Sequence, residues 1–317
     1  MKKFLKILAF ILLLIILIPI GYLSYKYIAG KIYLGSENEE HIAYLNEHKY
    51  VLSESLTEQV PIFDEDFYNS KVFILGENHG FAAVQQVDEA IFKHLNKKTG
   101  LRYYIAEMDS IRADRLTQFL STEEKDTALL AGVVKDIKIR IPQQSSKELY
   151  QKWMRLHSYN QSLPDSLRMV VLGIDISFDS ERSAFRRDSA MMLNFMQLVE
   201  ERHLWDEKFY GLFGFAHAMQ AGIGEQHDYY LAAKLKRSAT PFSKVQSVIC
   251  YNIDSKMYMP KNNQYATPEN EKIPIANHDG PIVMVKGIKD LVAASNQGEN
   301  TIFKIKMKTH RIEITRC

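Results

Sequence analysis

Cysteine is scarce in this chain. Two occur among 317 residues, Cys250 inside an apolar run and Cys317 at the last position. They lack metal-site spacing and imply no disulfide framework. An excess of either charge is also missing: 40 basic side chains stand against 38 acidic ones, which argues against nucleic acid as the main partner. The sequence has no H-E-x-x-H pair and no G-x-S-x-G elbow, and neither cysteine neighbours a histidine. A zincin-type helix and a covalent nucleophile are therefore not indicated. No internal repeat or low-complexity tract is visible. The remaining composition, 46% hydrophobic and 25% charged, is that of a chain able to bury a sizeable core.

Runs that are long, uncharged and almost wholly aliphatic are absent except at the start. After Lys2, Lys3 and Lys6, the stretch from Ile7 to Tyr25 carries no charge and is almost wholly apolar. Its length matches the roughly 20 residues that span a hydrocarbon core as a helix. A cleaved signal would have a shorter apolar region ending in small residues, and Pro19-Ile20-Gly21-Tyr22-Leu23 is not such an ending. No cysteine follows that could be lipidated. Tyr22, Tyr25 and Tyr27 resemble an interfacial aromatic belt, with Lys26 and Lys31 beyond it. The expectation is a single-pass membrane anchor over residues 1–31, spanning about 7–25, with residues 32–317 forming an α/β domain outside the cytoplasm.

In that domain, runs of β-branched and aromatic residues alternate with helical periodicity. Strands are expected at Val72–Leu75, Tyr103–Ala106, Met169–Ile174, Phe209–Phe215, Val245–Tyr251, Ile282–Val285 and Thr301–Met307. Phe81 to Leu95 carries Val84, Val87, Ile91 and Leu95 at helical spacing. Ser145-Ser146-Lys147-Glu148 reads as a capping box, followed by Leu149, Trp153 and Leu156 on one helical face. A short helix is expected in the polar lead-in from Tyr44 to Asp66. The interval from Ile111 to Pro164 has no good strand and reads as a helical insertion after the second strand. Strands separated by helices predict an α/β fold with a mainly parallel sheet flanked by helices.

The strand exits carry the chemistry. KVFILGENHG places Glu77 and His79 directly after the first strand, between Gly76 and Gly80. Glu107 and Asp109 follow the second, Asp175 the third and His217 the fourth. In a parallel sheet these exits share one edge, where ligands sit in open α/β folds. Each residue alone has a structural alternative. Asp175 could cap a helix, and His217 could be a satisfied core histidine. A carboxylate beside an imidazole orients the ring and raises its basicity.

In order along the chain, these segments resemble the erythromycin esterase family, within a wider group that includes ChaN-like haem-binding proteins and TIKI-type proteases. GENHG resembles that family's GE-x-x-HG element with one residue fewer between Glu and His. Glu107 in YIAEMD resembles the acid after its second strand. Trp153, Arg155, Tyr159 and Asn160, then Gly173 and Asp175, resemble its W-x-R-x-YN and G-x-D segments. Arg187, Asp188, Met191 and Asn194 match its RD-x-x-M-x-x-N helix. Two departures stand out. Only His217 represents a two-histidine HN-x-H element, with Gly214 where the first histidine would fall. Gln85, Gln86 and Asp88 replace an expected arginine, and the glutamines resemble the ChaN branch.

The resemblance and the exit residues together imply a hydrolase of an ester or amide, acting on a small molecule or peptide. His79 would be general base, Glu77 or Glu107 would orient and charge-stabilise it, and His217 would donate to the oxyanion or leaving group. Asp109, Arg155, Asp175 and Arg187 would support the site or bind substrate. Three alternatives remain open at this point, one being a scaffold that keeps the fold and, with the second histidine and the arginine missing, has lost a step of the chemistry. Glu77, His79, Glu107 and His217 have the chemistry to hold a divalent metal. A ChaN-like protein would bind haem through histidine or tyrosine without turnover.

Overall fold

The computed structural model describes residues 2–52, 60–178, 187–221, 230–260, 272–273, 277–279, 283–296, 298–305 and 314–316. Its centre is a five-stranded parallel sheet of β2 (Val72–Glu77), β3 (Tyr103–Ala106), β4 (Val170–Gly173), β5 (Phe209–Gly214) and β6 (Val245–Ile249), in the order β4-β3-β5-β2-β6. Five of the expected runs are these five strands. The runs of β3, β4 and β5 and Val72–Gly76 of β2 are apolar throughout, as strands covered on both faces must be, whereas β6 at the sheet edge carries Gln246 and Ser247 and is mostly half-buried. Alternate residues then serve opposite layers.

On one face, Phe73, Leu75, Tyr104, Val171, Tyr210 and Leu212 pack with helices α4 (Ala82–Thr99), α5 (Ser110–Ser121), α6 (Thr127–Ile137) and α7 (Lys147–Gln161). On the other, Val72, Ile74, Ile105, Leu172, Phe209 and Phe213 pack with α8 (Arg187–Glu201) and α9 (Leu231–Arg237). Helices α5, α6 and α7 occupy the interval between β3 and β4, which the sequence reads as a helical insertion. The predicted cap of α7 is displaced by one residue. Ser146, not Ser145, is the N-cap and accepts from Leu149 N at 3.1 Å, while the Ser145 hydroxyl donates to Val134 O at 2.8 Å. With the cap at Ser146, Glu148 falls one position short of the reciprocal site a capping box requires.

Both sheet edges are blunted by side chains, which removes a template for further strand pairing. Thr117 of α5 accepts from Val171 N at 2.9 Å and donates to Val171 O at 3.1 Å. At the other edge the Gln220 amide donates to Val245 O at 3.0 Å. Beneath the first layer lies a fully buried ion pair, Lys152 Nζ to Asp88 at 2.5 Å. Asp88 also accepts from the hydroxyls of Tyr104 and Tyr210, so its charge is satisfied on several sides.

The two last expected strands lie outside the parallel sheet. β1 (Lys49–Leu52) pairs antiparallel with β10 (Asn300–Phe303), and β9 (Val283–Val285) pairs antiparallel with β11 (Ile314–Arg316). β7 (Met257–Tyr258) and β8 (Lys272–Ile273) form a further short ribbon. With α2 (Glu39–Glu47) and α10 (Ile288–Ala294), residues of these ribbons build a third cluster around Leu45, Met284, Val285, Ile288 and Leu291. A one-turn helix, α3 (Glu65–Tyr68), leads into the sheet and is capped by Asp64.

The chain begins with helix α1 (Lys2–Leu34). Within Lys6–Leu34 it is long and apolar enough to cross a membrane, its most apolar 18-residue stretch having a mean hydropathy of 2.8. It continues past the expected end of the span, and its last turn meets the third cluster through Leu34.

Candidate active site

The carboxyl ends of β2, β3, β4 and β5 bring most of the exit residues together. Glu77 is the last residue of β2 and stands in register with Gly214, the last residue of β5. A tight turn follows, closed by Gly80 at φ +94, a backbone conformation that favours glycine. His79 on that turn swings back over its own strand, and its Nδ1 lies 2.9 Å from Glu77 Oε1. Glu77 is buried, whereas the imidazole keeps 24% of its side chain exposed.

The Glu77 carboxylate is held on both oxygens. Gln144 donates to Oε1 at 2.5 Å and Gln85 to Oε2 at 3.4 Å. Gln144 Nε2 also lies 3.1 Å from His79 Nδ1. An ionised carboxylate can only accept, so His79 Nδ1 donates to Glu77 and carries the proton of the neutral tautomer; Gln144, also a donor, bonds the carboxylate rather than the ring, and Nε2 is the basic nitrogen. Burial pulls the His79 pKa down. The hydrogen bond to Glu77 and the charges of Glu107 and Glu77 outweigh it, so the imidazole titrates above its ordinary 6.5.

Gly214 lets the imidazole sit where it does. A β-carbon there would stand 3.1 Å from His79 Nε2, 3.3 Å from Cε1 and 3.5 Å from Glu107 Oε2. The family's missing first histidine falls at the position where this site needs no side chain.

Beside the dyad lies a second constellation around Glu107. One oxygen accepts from Gly214 N at 2.5 Å, and the other from Arg187 Nη2 at 2.8 Å. Arg187 reaches in from α8 and grips Asp175 with its Nε at 3.0 Å and with Nη2. His217, in the helical turn after β5, bonds Asp188 through Nδ1 at 2.6 Å and faces Glu107 through Nε2 at 3.5 Å. Burial lowers the His217 pKa, but the Glu107 charge and the Asp188 hydrogen bond push it up to about 10. His217 is therefore an imidazolium at neutral pH. Burial would raise the Glu107 carboxyl, but the charge and hydrogen bond of His217, with Arg187 and His79, hold it well below the usual carboxylate range.

Glu77, His79, Glu107, Asp175, Arg187 and His217 thus share one edge. Asp109 lies on the same edge but turns away to cap α5, accepting from Arg112 N, the Arg112 guanidinium and Phe178 N. Arg155 lies elsewhere, on α7, where it bonds Glu89 of α4 at 2.7 Å. Its neighbours in the W-x-R-x-YN segment also serve packing. Trp153 is buried, Tyr159 donates to Asn96, and Asn160 holds Leu120 O and Met169 N. Gln144 is the residue that sequence reasoning missed, since an amide in a short turn carries no periodic signal. Asp188 was visible only as part of the RD-x-x-M-x-x-N helix.

Among the described residues, no group of three or more His, Cys, Asp and Glu is arranged to hold a metal ion. The carboxylates explain this: Glu77 and Glu107 each spend their lone pairs on protein donors. Two surface hollows lie away from this chemistry. One of about 490 Å³ opens among Asn69, Ser70, Gln220 and Lys244, towards the amino end of the sheet. Side-chain chemistry, rather than volume, locates the site.

No family model matches the sequence, and no curated protein sequence matches it. Among solved structures, the fold is similar to a protein from Bacillus cereus with a TM-score of 0.50 at 12% identity, covering 75% of this chain and 79% of that one. A mutant of erythromycin esterase EreC in its open conformation is also similar, at TM-score 0.42 and 10% identity, with coverage of 57% and 70%. ChaN of Campylobacter jejuni, solved with cofacial haem, aligns at TM-score 0.29 and 14% identity, with coverage of 64% and 90%. At such identities the likeness concerns the fold alone.

Proposed function

We propose that the chain is a membrane-anchored hydrolase of an ester or amide bond, with residues 1–31 as anchor and 32–317 as the α/β domain. The observation that carries this reading is the Glu77–His79 pair at the carboxyl edge of the sheet. Glu77, itself held by Gln144, fixes the ring so that Nε2 can take a proton, and the imidazole is partly exposed. In the reaction, Nε2 accepts a proton from water as the oxygen attacks the substrate carbonyl. Glu77 stabilises the imidazolium that forms. His217 and Arg187 supply positive charge near the developing oxyanion, and Glu107, Asp175 and Asp188 hold those cations in place.

Haem fits this arrangement poorly. His79 Nε2 looks onto the Gly214 backbone and the Glu107 carboxylate, and charged groups continue beyond them. A porphyrin would need an apolar slot on that side. The two readings separate in one set of experiments on purified full-length protein. A panel of esters, lactones and peptides, with and without added divalent metal, should reveal a cleaved class, and hemin should give no Soret shift that depends on His79. A His79-dependent Soret shift with no hydrolysis of any probe would replace the hydrolase with a binding protein.

A further inference from the structure

The end of α1 is joined to the active-site edge by packed side chains. Gly30 lies so close to Met284 that a β-carbon there would be 2.7 Å from its sulfur. Leu34, one turn on, packs in the same cluster as Met284 and Val285. The corner that follows is clamped by α10: Lys289 Nζ donates to Gly35 O at 2.5 Å, and Asp290 accepts from Asn38 N at 2.8 Å while pairing with His41 at 2.9 Å. Helix and domain are therefore coupled without a free linker.

From that cluster the contacts lead straight to the site. Val285 N donates to His278 O at 3.1 Å, and Asn252 N donates to His278 Nδ1 at 2.9 Å. His278, fully buried between Phe215 and Tyr251, meets the side chain of Asn78 at 3.2 Å. Asn78 stands between Glu77 and His79. The uncharged run of α1 stops at Tyr25, and Lys26 to Leu34 rise by about 13 Å at roughly 1.5 Å per residue. The headgroup layer on each side of the hydrocarbon core is roughly 5–8 Å deep. The third cluster consequently begins just above the headgroups.

We propose that the Glu77–His79 edge faces the headgroup layer of the membrane that holds α1, and that its substrate is an ester or amide carried by a membrane amphiphile. The proposal rests on the anchored-hydrolase reading above and adds the substrate class. An ester presented at the bilayer surface meets the site at high effective concentration, whereas a dissolved one does not.

The test uses the full chain with Cys250→Ala and Cys317→Ser, so that each label has one thiol to react with, reconstituted in phosphatidylcholine vesicles. A fluorophore is placed at exposed Lys256→Cys, two residues before Tyr258, whose N–H donates to Gly80 O. A second protein carries it at exposed Asp206→Cys, at the amino end of β5. Both labels replace surface side chains, and circular dichroism checks the fold. A phospholipid with a headgroup nitroxide should quench the Lys256 site strongly and the Asp206 site little. Equal or reversed quenching would overturn the placement. The parent protein is then given the same aryl ester on a phospholipid headgroup and on a soluble carrier. The lipid-borne ester should be cleaved about 10²-fold faster, and equal rates would overturn the substrate class. Cleavage of neither, with the quenching pattern intact, would remove the hydrolase reading and the substrate class while supporting the placement.

Discussion

At the scale of the residue, the account turns on how neighbours set the protonation of two histidines. Glu77 holds the His79 pKa above 6.5, so Glu77→Gln should lower it, because the amide keeps the shape and loses the charge. A histidine NMR titration should show His79 deprotonating at lower pH in the variant, and any rate limb governed by it should move the same way. An unchanged titration would mean that Glu77 does not act on the ring. Gly214 offers a second test. A methyl group 3.1 Å from Nε2 must displace the imidazole, so Gly214→Ala should reduce turnover by more than it reduces stability. Comparison of kcat/KM with the urea midpoint separates the two effects. These positions differ in how well the sequence announced them. Glu77, His79, Glu107 and His217 were legible because ionisable residues directly after buried strands are costly unless used. Gln144 was not, since its role exists only once the insertion folds back onto β2.

At the scale of the element, β2, β3, β4 and β5 were legible as apolar runs with the composition of two-sided burial, and β6 as a β-branched run whose Gln246 and Ser247 suit an edge. The short runs near residues 282 and 301 look the same in sequence, yet they form small antiparallel ribbons. Strand propensity reports a fit to a pleated surface and not which sheet supplies it. Similarly, Ser145 and Ser146 are equal candidates for a cap until the backbone chooses one. The helical insertion is tied to α4 by the buried Lys152–Asp88 pair, whose carboxylate also accepts from Tyr104 and Tyr210 of the sheet, and this gives a stability prediction. Lys152→Met leaves a buried carboxylate without its cation and should cost about 3–5 kcal/mol. Urea unfolding of the parent and the variant measures it. A change below about 1 kcal/mol would show that the tyrosine hydroxyls alone satisfy Asp88.

At the scale of the whole molecule, buried histidines make stability depend on pH in opposite senses. Burial holds His278 down to about 4, against 6.5 when unfolded. Its contribution is complete above pH 6.5 and is lost as pH falls through about 4, a loss of order 3 kcal/mol. His217, raised to about 10, contributes fully below pH 6.5 and loses that contribution as pH rises through about 10. Thermal unfolding of the full chain should therefore be most resistant near pH 6.5 and weaken on both sides. The anchor makes a separate prediction. Protease added to intact spheroplasts should digest the chain beyond Lys31, and protection until lysis would reverse the orientation. The central claim, that His79 on its Glu77 support is the base of a hydrolytic site, is tested most directly by kcat/KM against pH for the parent and His79→Ala on one cleaved ester. The account predicts a rate that rises with pH through an apparent pKa above 6.5 in the parent, and in the variant a loss of that limb with a drop of about 10²–10⁴. Hydrolysis by His79→Ala at the parent rate, with the same pH profile, would contradict it.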